Sequence, residues 1–387
     1  MKKSYLMIAA AAALFAACAS NDTFKDVDTQ ESAITFDQIL NNTTRAAIGG
    51  GSTTEALAAA KKRLAEEGGF IVYGYKRLST AENWNSYQTV FENVNVKCID
   101  DDFTDNDANT NNYGSTWGYD NLRFWDKNSK YNFYAIAPYN PAHGTYSLVA
   151  NSAPGALLFK ITGAQYGKSD NADTEDFLID RDGATDISGS YTGTHNKVGF
   201  DFHHIMTKVD FKLKSTLSNG IIEVTSLTMT GWNSNTGTFT QSSSYSASTS
   251  NHSEWAITAQ TPAQGDVTLV PNTVQTSNII ITCGGATVDV NEWYIMIPQE
   301  ITTGLTFTLT YTYKEIDDKG TVDTTDDVTT YEETYKDQVA TISTAQIWGT
   351  DTHVTYTLDI KPSAIDFDVT SICGFHLDNT NNVIDVQ

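Results

Sequence analysis

Three groupings of side chains in this 387-residue chain could do chemistry, and the spacing of each limits what it can do. The first is the adjacent pair His203–His204. Imidazoles are common metal ligands, but neighbours on a strand project to opposite faces, so in the strand-like run VGFDFHH the two rings would not converge on one ion. The second is a pair of acidic runs, DDDFTDNDANTNN (Asp100 to Asn112) and EIDDKGTVDTTDD (Glu315 to Asp327). Both offer oxygen ligands for Ca²⁺, yet neither has the glycine and closing glutamate of an EF-hand loop, and they read as solvated acidic loops. The third is aromatic: Tyr113, Trp117 and Tyr119 in NNYGSTWGYD could form a platform for a sugar, while tryptophan in a sandwich more often packs in the core. The 47 acidic residues could include a glycosidase pair, but sequence alone brings no two of them to a catalytic separation. The chain has no GxSxG elbow, no Walker loop, no strand-following GxGxxG and no HExxH. The expectation is a protein with no catalytic residues, no cofactor and no metal, and therefore not an enzyme.

Two further residues point to processing. Lys2 and Lys3 precede the apolar run LMIAAAAALFAA (Leu6 to Ala17), which is too short to span a bilayer and reads as an export signal. It ends in FAA directly before Cys18 and resembles a bacterial lipoprotein lipobox, with Phe15 a mild departure from the usual leucine. Cleavage there would make Cys18 an acylated N-terminus, and multiple acyl chains anchor durably at about 0.8 kcal/mol per buried CH₂. The second residue is Arg45, in NNTTRAAIGGGS. It is the first arginine of the chain, no lysine lies between Lys25 and Lys61, and the residues from Ala46 to Gly51 are small and glycine-rich, as in a protease-accessible loop. Cys98, Cys283 and Cys373 are far apart and lack CxxC spacing, so they define neither a disulfide framework nor a zinc site.

The elements that would position these residues are mostly strands. AITFDQIL places Ile34 and Phe36 on one face of a short strand just before Arg45. Ser52 and Glu55 form a capping box for the short helix EALAAAKKRLAEE, stopped at Gly68 and Gly69. FIVYGYK, TVFENVNVKC, LRFW and YNFYAIAP follow as strand-like runs rich in aromatic and β-branched residues. The Gly/Ser/Thr stretch GATDISGSYTGTHNK reads as a domain boundary, and the apolar phase shift after His204 requires a bulge or break near HHIMTK. LTFTLTYTY, VTYTLDI and IDFDV alternate strictly, as strands of antiparallel sheets with one face in a core do. The fold class is all-β, with two tandem β-sandwich domains and one short helix near the N-terminus. The divisions are 1–17 signal peptide, 18–52 acidic tether with first strand and cleavage segment, 53–195 first sandwich, and 196–387 second sandwich with a donor-strand tail. A net charge of −23 repels phosphate backbones and disfavours nucleic acid as a partner.

Several of these stretches, taken in order, resemble the Bacteroides-type fimbrillin family. They are the lipobox at Cys18 with its acidic tether, VFENVNV, RFWDKNSKYNFYAIAPYN, EDFLID, FHHIMTKVDFKLK with Phe202, His204 and Lys208 in an F-x-H-x-x-x-K pattern, IIEVTSLTMTGWNSNTGTF, YIMIPQ and VTYTLDIKPSAIDFDV. The resemblance implies transthyretin-like, Greek-key sandwiches and an outer-membrane lipoprotein exposed on the cell surface in a fimbrium. It also implies removal of the N-terminal segment by an Arg-specific protease, a role that falls by position on the Arg45–Ala46 bond. The implied partners are other fimbrial subunits joined by strand addition, the outer membrane through the lipid on Cys18, and a host or bacterial surface glycan or protein. The alternative expectation is a surface glycan-binding lipoprotein that uses exposed Trp and Tyr.

Overall fold

The structure is a computed structural model and describes residues 32–39, 64–65, 67–99, 117–168, 176–180, 184–189, 197–232, 236–245, 251–258, 267–271, 277–302, 304–317, 319, 328–362 and 364–373. The first twelve strands are β1 (Thr35–Ile39), β2 (Phe70–Leu78), β3 (Gln88–Cys98), β4 (Trp117–Gly118), β5 (Ser129–Ala137), β6 (Thr145–Leu148), β7 (Phe159–Ala164), β8 (Gly167–Lys168), β9 (Leu178–Asp180), β10 (Ala184–Ser188), β11 (Lys197–His204) and β12 (Thr207–Lys214). The remainder are β13 (Ile221–Thr230), β14 (Thr236–Thr240), β15 (Trp255–Thr258), β16 (Val267–Val270), β17 (Ile279–Thr282), β18 (Val288–Met296), β19 (Gln299–Ile301), β20 (Leu305–Asp317), β21 (Val328–Ile342), β22 (Gln346–Trp348), β23 (Thr352–Lys361) and β24 (Ala364–Cys373). The all-β class expected from the alternating apolar pattern is what the chain adopts. The expected helix lies outside the described residues except for Leu64 and Ala65, which are helical, and Glu67, which is in a turn. The Gly69 and Gly68 N–H groups donate to the Leu64 and Ala65 carbonyls at 2.9 and 3.1 Å, with both glycines at positive φ, the pairing that ends a helix.

The first sheet runs β10-β5-β2-β3-β4-β1-β11-β9, and β9 pairs back onto β5, so the path closes on itself. Its core is aromatic: Phe36, Phe70, Phe91, Phe133, Phe200 and Trp125 are all buried in one cluster. Strand β2 is buried on both faces, with Phe70 and Val72 in this cluster and Ile71, Tyr73 and Tyr75 in a second one. Gly74 continues the first of these faces because a Cβ there would meet the Phe91 and Phe133 rings at 2.7 and 2.9 Å. The second cluster lies against a four-stranded sheet, β15-β14-β7-β6, which contributes Phe159, Ile161, Phe239 and Trp255. A third core lies between β24-β23-β12-β18-β8 and β16-β13-β20-β21, with β17 paired to β13. Here Leu305, Phe307, Leu309, Tyr311 and Tyr313 of β20 are all buried, as their strict alternation predicts.

Sheets cross residue 195. Strand β11 belongs to the first ring, β14 and β15 extend the sheet of β7, and β8 pairs with β18 of the second sandwich. Part of the polar stretch read as a boundary is strand β10, paired to β5. LRFW, read as a strand, contributes only a single antiparallel bridge from Phe124 to Ala33. The break expected near HHIMTK is real: β11 ends at His204 in the ring, and β12 starts at Thr207 in the other sheet.

Candidate functional site

The most informative geometry surrounds β1. Its five residues run parallel to β11, with Phe36 beside Val198, and Phe36 also pairs antiparallel with Trp117 of β4. The Phe36 ring lies 5.2, 5.6, 5.7 and 5.9 Å from those of Phe91, Tyr119, Phe200 and Phe133, and it is 1% exposed. Fully burying such a side chain contributes about 1.5–3 kcal/mol, and each favourable ring pair adds about 0.5–1.5 kcal/mol. Ile34, one residue-pair earlier on the same face, is fully buried.

A strap of chain from Tyr119 to Trp125 closes over the leading end of this strand. The Ile34 N–H donates to the Arg123 carbonyl at 2.8 Å, and the Trp125 N–H donates to the Ser32 carbonyl at 3.1 Å. The Tyr119 hydroxyl donates to the Ile34 carbonyl at 2.7 Å and accepts the Arg123 N–H at 3.2 Å. Arg123 ties the strap to β3 through Nε, which donates to the Val90 carbonyl at 3.0 Å, and its guanidinium lies over the Phe91 ring. Beside the strap a cleft of about 270 Å³ is lined by Ile34, Ile99, Trp117, Tyr119 and Leu122. Ile99 and Leu122 are exposed at its rim.

The candidate ligand aromatics are therefore placed differently from one another. Trp117 is 4% exposed with its indole 5.1 Å from Phe70, and Tyr119 is half-buried on β1. Tyr113, Cys18, Arg45 and Ala46 lie outside the described residues, as does the acidic run from Asp100 to Asn112. Local composition near Arg45 marked the strand before it, but nothing local marked the strap, whose contacts join Ser32–Phe36 to residues far along the chain.

The two adjacent histidines do face apart. His203 lies with Nε2 3.3 Å from Asp201 and Nδ1 3.6 Å from Asp351, whereas His204 Nδ1 is 2.6 Å from Asp176. Burial pushes the His203 imidazole down, but the hydrogen bonds and charges of Asp201 and Asp351 outweigh it and raise it to about 9. Burial lowers the Lys208 ammonium against the opposing pull of Asp210, and Lys208 Nζ sits over the Trp293 ring at 5.5 Å. Burial raises the Asp210 carboxyl, but the 2.7 Å contact with His353 reverses the direction and holds it below the usual carboxylate range. Thus Phe202, His204 and Lys208 of the F-x-H-x-x-x-K pattern are all buried at the crossing from ring to sandwich. Among the described residues no three His, Cys, Asp or Glu side chains gather as metal ligands would.

Residues 77–370 match the fimbrillin-like family, and the chain belongs to that family. Among solved structures, the chain is similar to a candidate cell adhesion protein of Bacteroides ovatus (16% identity, 91% of this chain and 100% of that one, TM-score 0.39) and to one of Bacteroides uniformis (11% identity, 90% and 99%, TM-score 0.37). The tip fimbrial protein Mfa3 of Porphyromonas gingivalis, with a C-terminal truncation, is 8% identical over 80% of this chain and 96% of its own, with a TM-score of 0.33. No curated protein matches the chain.

Proposed function

We propose that this protein is a fimbrial subunit or an accessory or tip protein, exported as a lipoprotein on Cys18, that assembles by strand exchange and mediates adhesion at the cell surface. Cleavage after Arg45 would disconnect β1 from the rest of the chain. Loss of that strand would leave the N–H and C=O groups of β11 unpaired beside an aromatic trough, an edge that invites an extended segment from another subunit. The observation that carries this reading is the position of β1. It precedes Arg45 in the chain, and it places Phe36 among four rings of the ring core.

The donor in this reading is C-terminal, from IDFDVTSICGF (Ile365 to Phe375) or from VIDV (Val383 to Val386). Strand β24 carries Ile365-Asp366-Phe367-Asp368, the same I-x-F-D order as Ile34-Thr35-Phe36-Asp37 of β1. Among the described residues it is also an edge strand, paired only with β23, and its Ile365, Phe367 and Val369 are half-buried. Head-to-tail addition of this kind does not close on itself and builds a fibre.

N-terminal sequencing of protein isolated from the cell surface tests the reading. The expected sequence begins at Ala46, and limited trypsin treatment of purified precursor should cut after Arg45 before Arg77 or Arg123. Arg77 lies in a strand paired on both sides, and Arg123 is bonded through both backbone and side chain. Surface material that still begins at an acylated Cys18 would overturn the maturation step.

A further inference from the structure

Resting on the lipoprotein reading above, we infer that the outer side of the strap Tyr119–Trp125, together with Ile99, is a membrane-docking surface of the tethered precursor. Its partner is a zwitterionic lipid surface, and the side chains that enter the lipid are Ile99, Leu122 and Phe124.

Three observations converge on this. First, the strap divides its side chains between two sides. Arg123 lies over the Phe91 ring and Trp125 is buried, so the alternation of an extended segment sends Leu122 and Phe124 outward. Leu122 is 60% exposed and Phe124 50%, and Ile99, which shares the cleft with Leu122, is 58% exposed. Large apolar side chains left in water around one apolar cleft mark a contact surface. Second, the chain leads from this side of the fold to the lipid. Ala33 bridges to Phe124, and the Ser32 carbonyl accepts the Trp125 N–H, so the N-terminal segment joins the fold alongside the patch. Cys18 lies fourteen residues before Ser32, a length that spans at most about 50 Å when fully extended. A patch tethered so close meets the bilayer at high effective concentration, and a weak intrinsic affinity is then enough to hold it there. Third, the charges suit lipid without net charge. The net charge of −23 repels anionic headgroups. At the cleft itself exposed Lys97 and Asp120 balance each other, and they offer a cation to phosphate and an anion to an ammonium group. The Trp117 indole N–H, buried on the cleft wall, has no acceptor among the described residues, and an ester oxygen of lipid entering the cleft supplies one. Docking belongs to the precursor, because loss of the segment before Arg45 removes the lipid and the Ala33–Phe124 bridge together.

The test places a tryptophan reporter in the patch. Leu122→Trp is compared with Val339→Trp, an exposed position on β21 of the second sandwich, and with the unsubstituted chain. Each is held on vesicles of phosphatidylcholine and of its acyl-brominated form, whose bromines quench indoles that enter the apolar layer. Two tethers are used: the chain's own acylated Cys18, and a hexahistidine tag in place of Cys18 on vesicles that contain nickel-chelating lipid. Under both tethers Leu122→Trp should lose most of its added fluorescence on brominated vesicles, whereas Val339→Trp should keep it. Adding Ile99→Asp should restore most of the Leu122→Trp signal while the protein stays on the vesicles. Equal emission from Leu122→Trp on the two lipids, quenching that Ile99→Asp leaves unchanged, or equal quenching of Val339→Trp overturns the inference. So does a Leu122→Trp signal that responds to protein concentration without vesicles and not to bromine, which would assign the patch to a second copy of the chain. An intact-mass measurement that finds no acyl groups on Cys18 defeats the lipoprotein reading alone, and the tagged chain still decides whether the strap docks.

Discussion

His203 sits where β11 leaves the ring and the chain crosses to β12, buried between Asp201 and Asp351. Other ionisable side chains meet around the crossing: His204 faces Asp176, Lys208 feels Asp210 and Asp176, and His353 bonds to Asp210. Since the folded-state value of His203 is raised to about 9 against an unfolded value of 6.5, its protonated form stabilises the fold. That contribution is fully present below pH 6.5 and is lost as pH rises through about 9. Between those limits the slope approaches about 1.4 kcal/mol per pH unit, because the folded state holds one proton that the unfolded state has released. Chemical denaturation from pH 6 to 9.5 should show this decline, and His203→Gln should flatten it while lowering stability at pH 6. A wild-type profile that stays level over that range would show that His203 is not charged in the fold. The sequence marks the two histidines and correctly sends them to opposite faces, but Asp351 and Asp176 come from distant strand ends and no spacing rule names them.

At the level of the element, β1 and β24 carry the same I-x-F-D order in different surroundings. Strand β1 is paired along one side by β11 and held on the other by β4 and the strap, whereas β24 is paired on one side only among the described residues. Its outward Asp366 and Asp368 are held by Lys361 and Lys214, and exposed ion pairs like these contribute about 0–1 kcal/mol. Amides of β24 should therefore exchange with solvent before those of β1 in the uncut chain, as read by hydrogen–deuterium exchange with peptide-level resolution. The reverse order would mean that β1 is the looser element even before cleavage, and it would weaken the case for cleavage as the step that frees it.

Legibility in the sequence follows the same physics. Strands with one buried face, such as β20 and β23, write a period of two into the sequence and can be read directly. The strand β10 cannot, because its Ala184, Asp186 and Ser188 lie within a polar run and pairing with β5 is what makes it a strand. The strap is equally silent: Tyr119 and Arg123 look like loop residues until the fold brings Ile34 against them. Trp117 could be weighed only as platform or core, and its place against Phe70 depends on closure of the ring.

The connectivity of the whole molecule bears on how it unfolds. Residue 195 is the natural place to divide the chain by composition, yet the ring needs β11 from beyond it to pair with β1 and β9. The sheet of β6 and β7 likewise needs β14 and β15, and β18 of the second sandwich is joined by β8 from the first half. The crossing itself is pinned by the Trp255 indole N–H, which donates to the Ile205 carbonyl at 2.8 Å, and by the Thr207 hydroxyl, which donates to the Gly349 carbonyl at 2.7 Å. Ile205 and Met206 are fully buried in the cluster between the ring and the β7 sheet. Shared strands and shared core couple the parts energetically, so unfolding one should expose the apolar surface of the other. Scanning calorimetry of the full chain should therefore give a single transition whose van't Hoff enthalpy approaches the calorimetric one. A chain ended after residue 195 lacks β11 and should fail to give the protected amide pattern of the ring, even though it contains β1, β2, β3 and β5. Two well-separated transitions, or a folded 1–195 fragment, would instead show that the ring is autonomous. The strands lent across residue 195 would then be attachments rather than parts of its core.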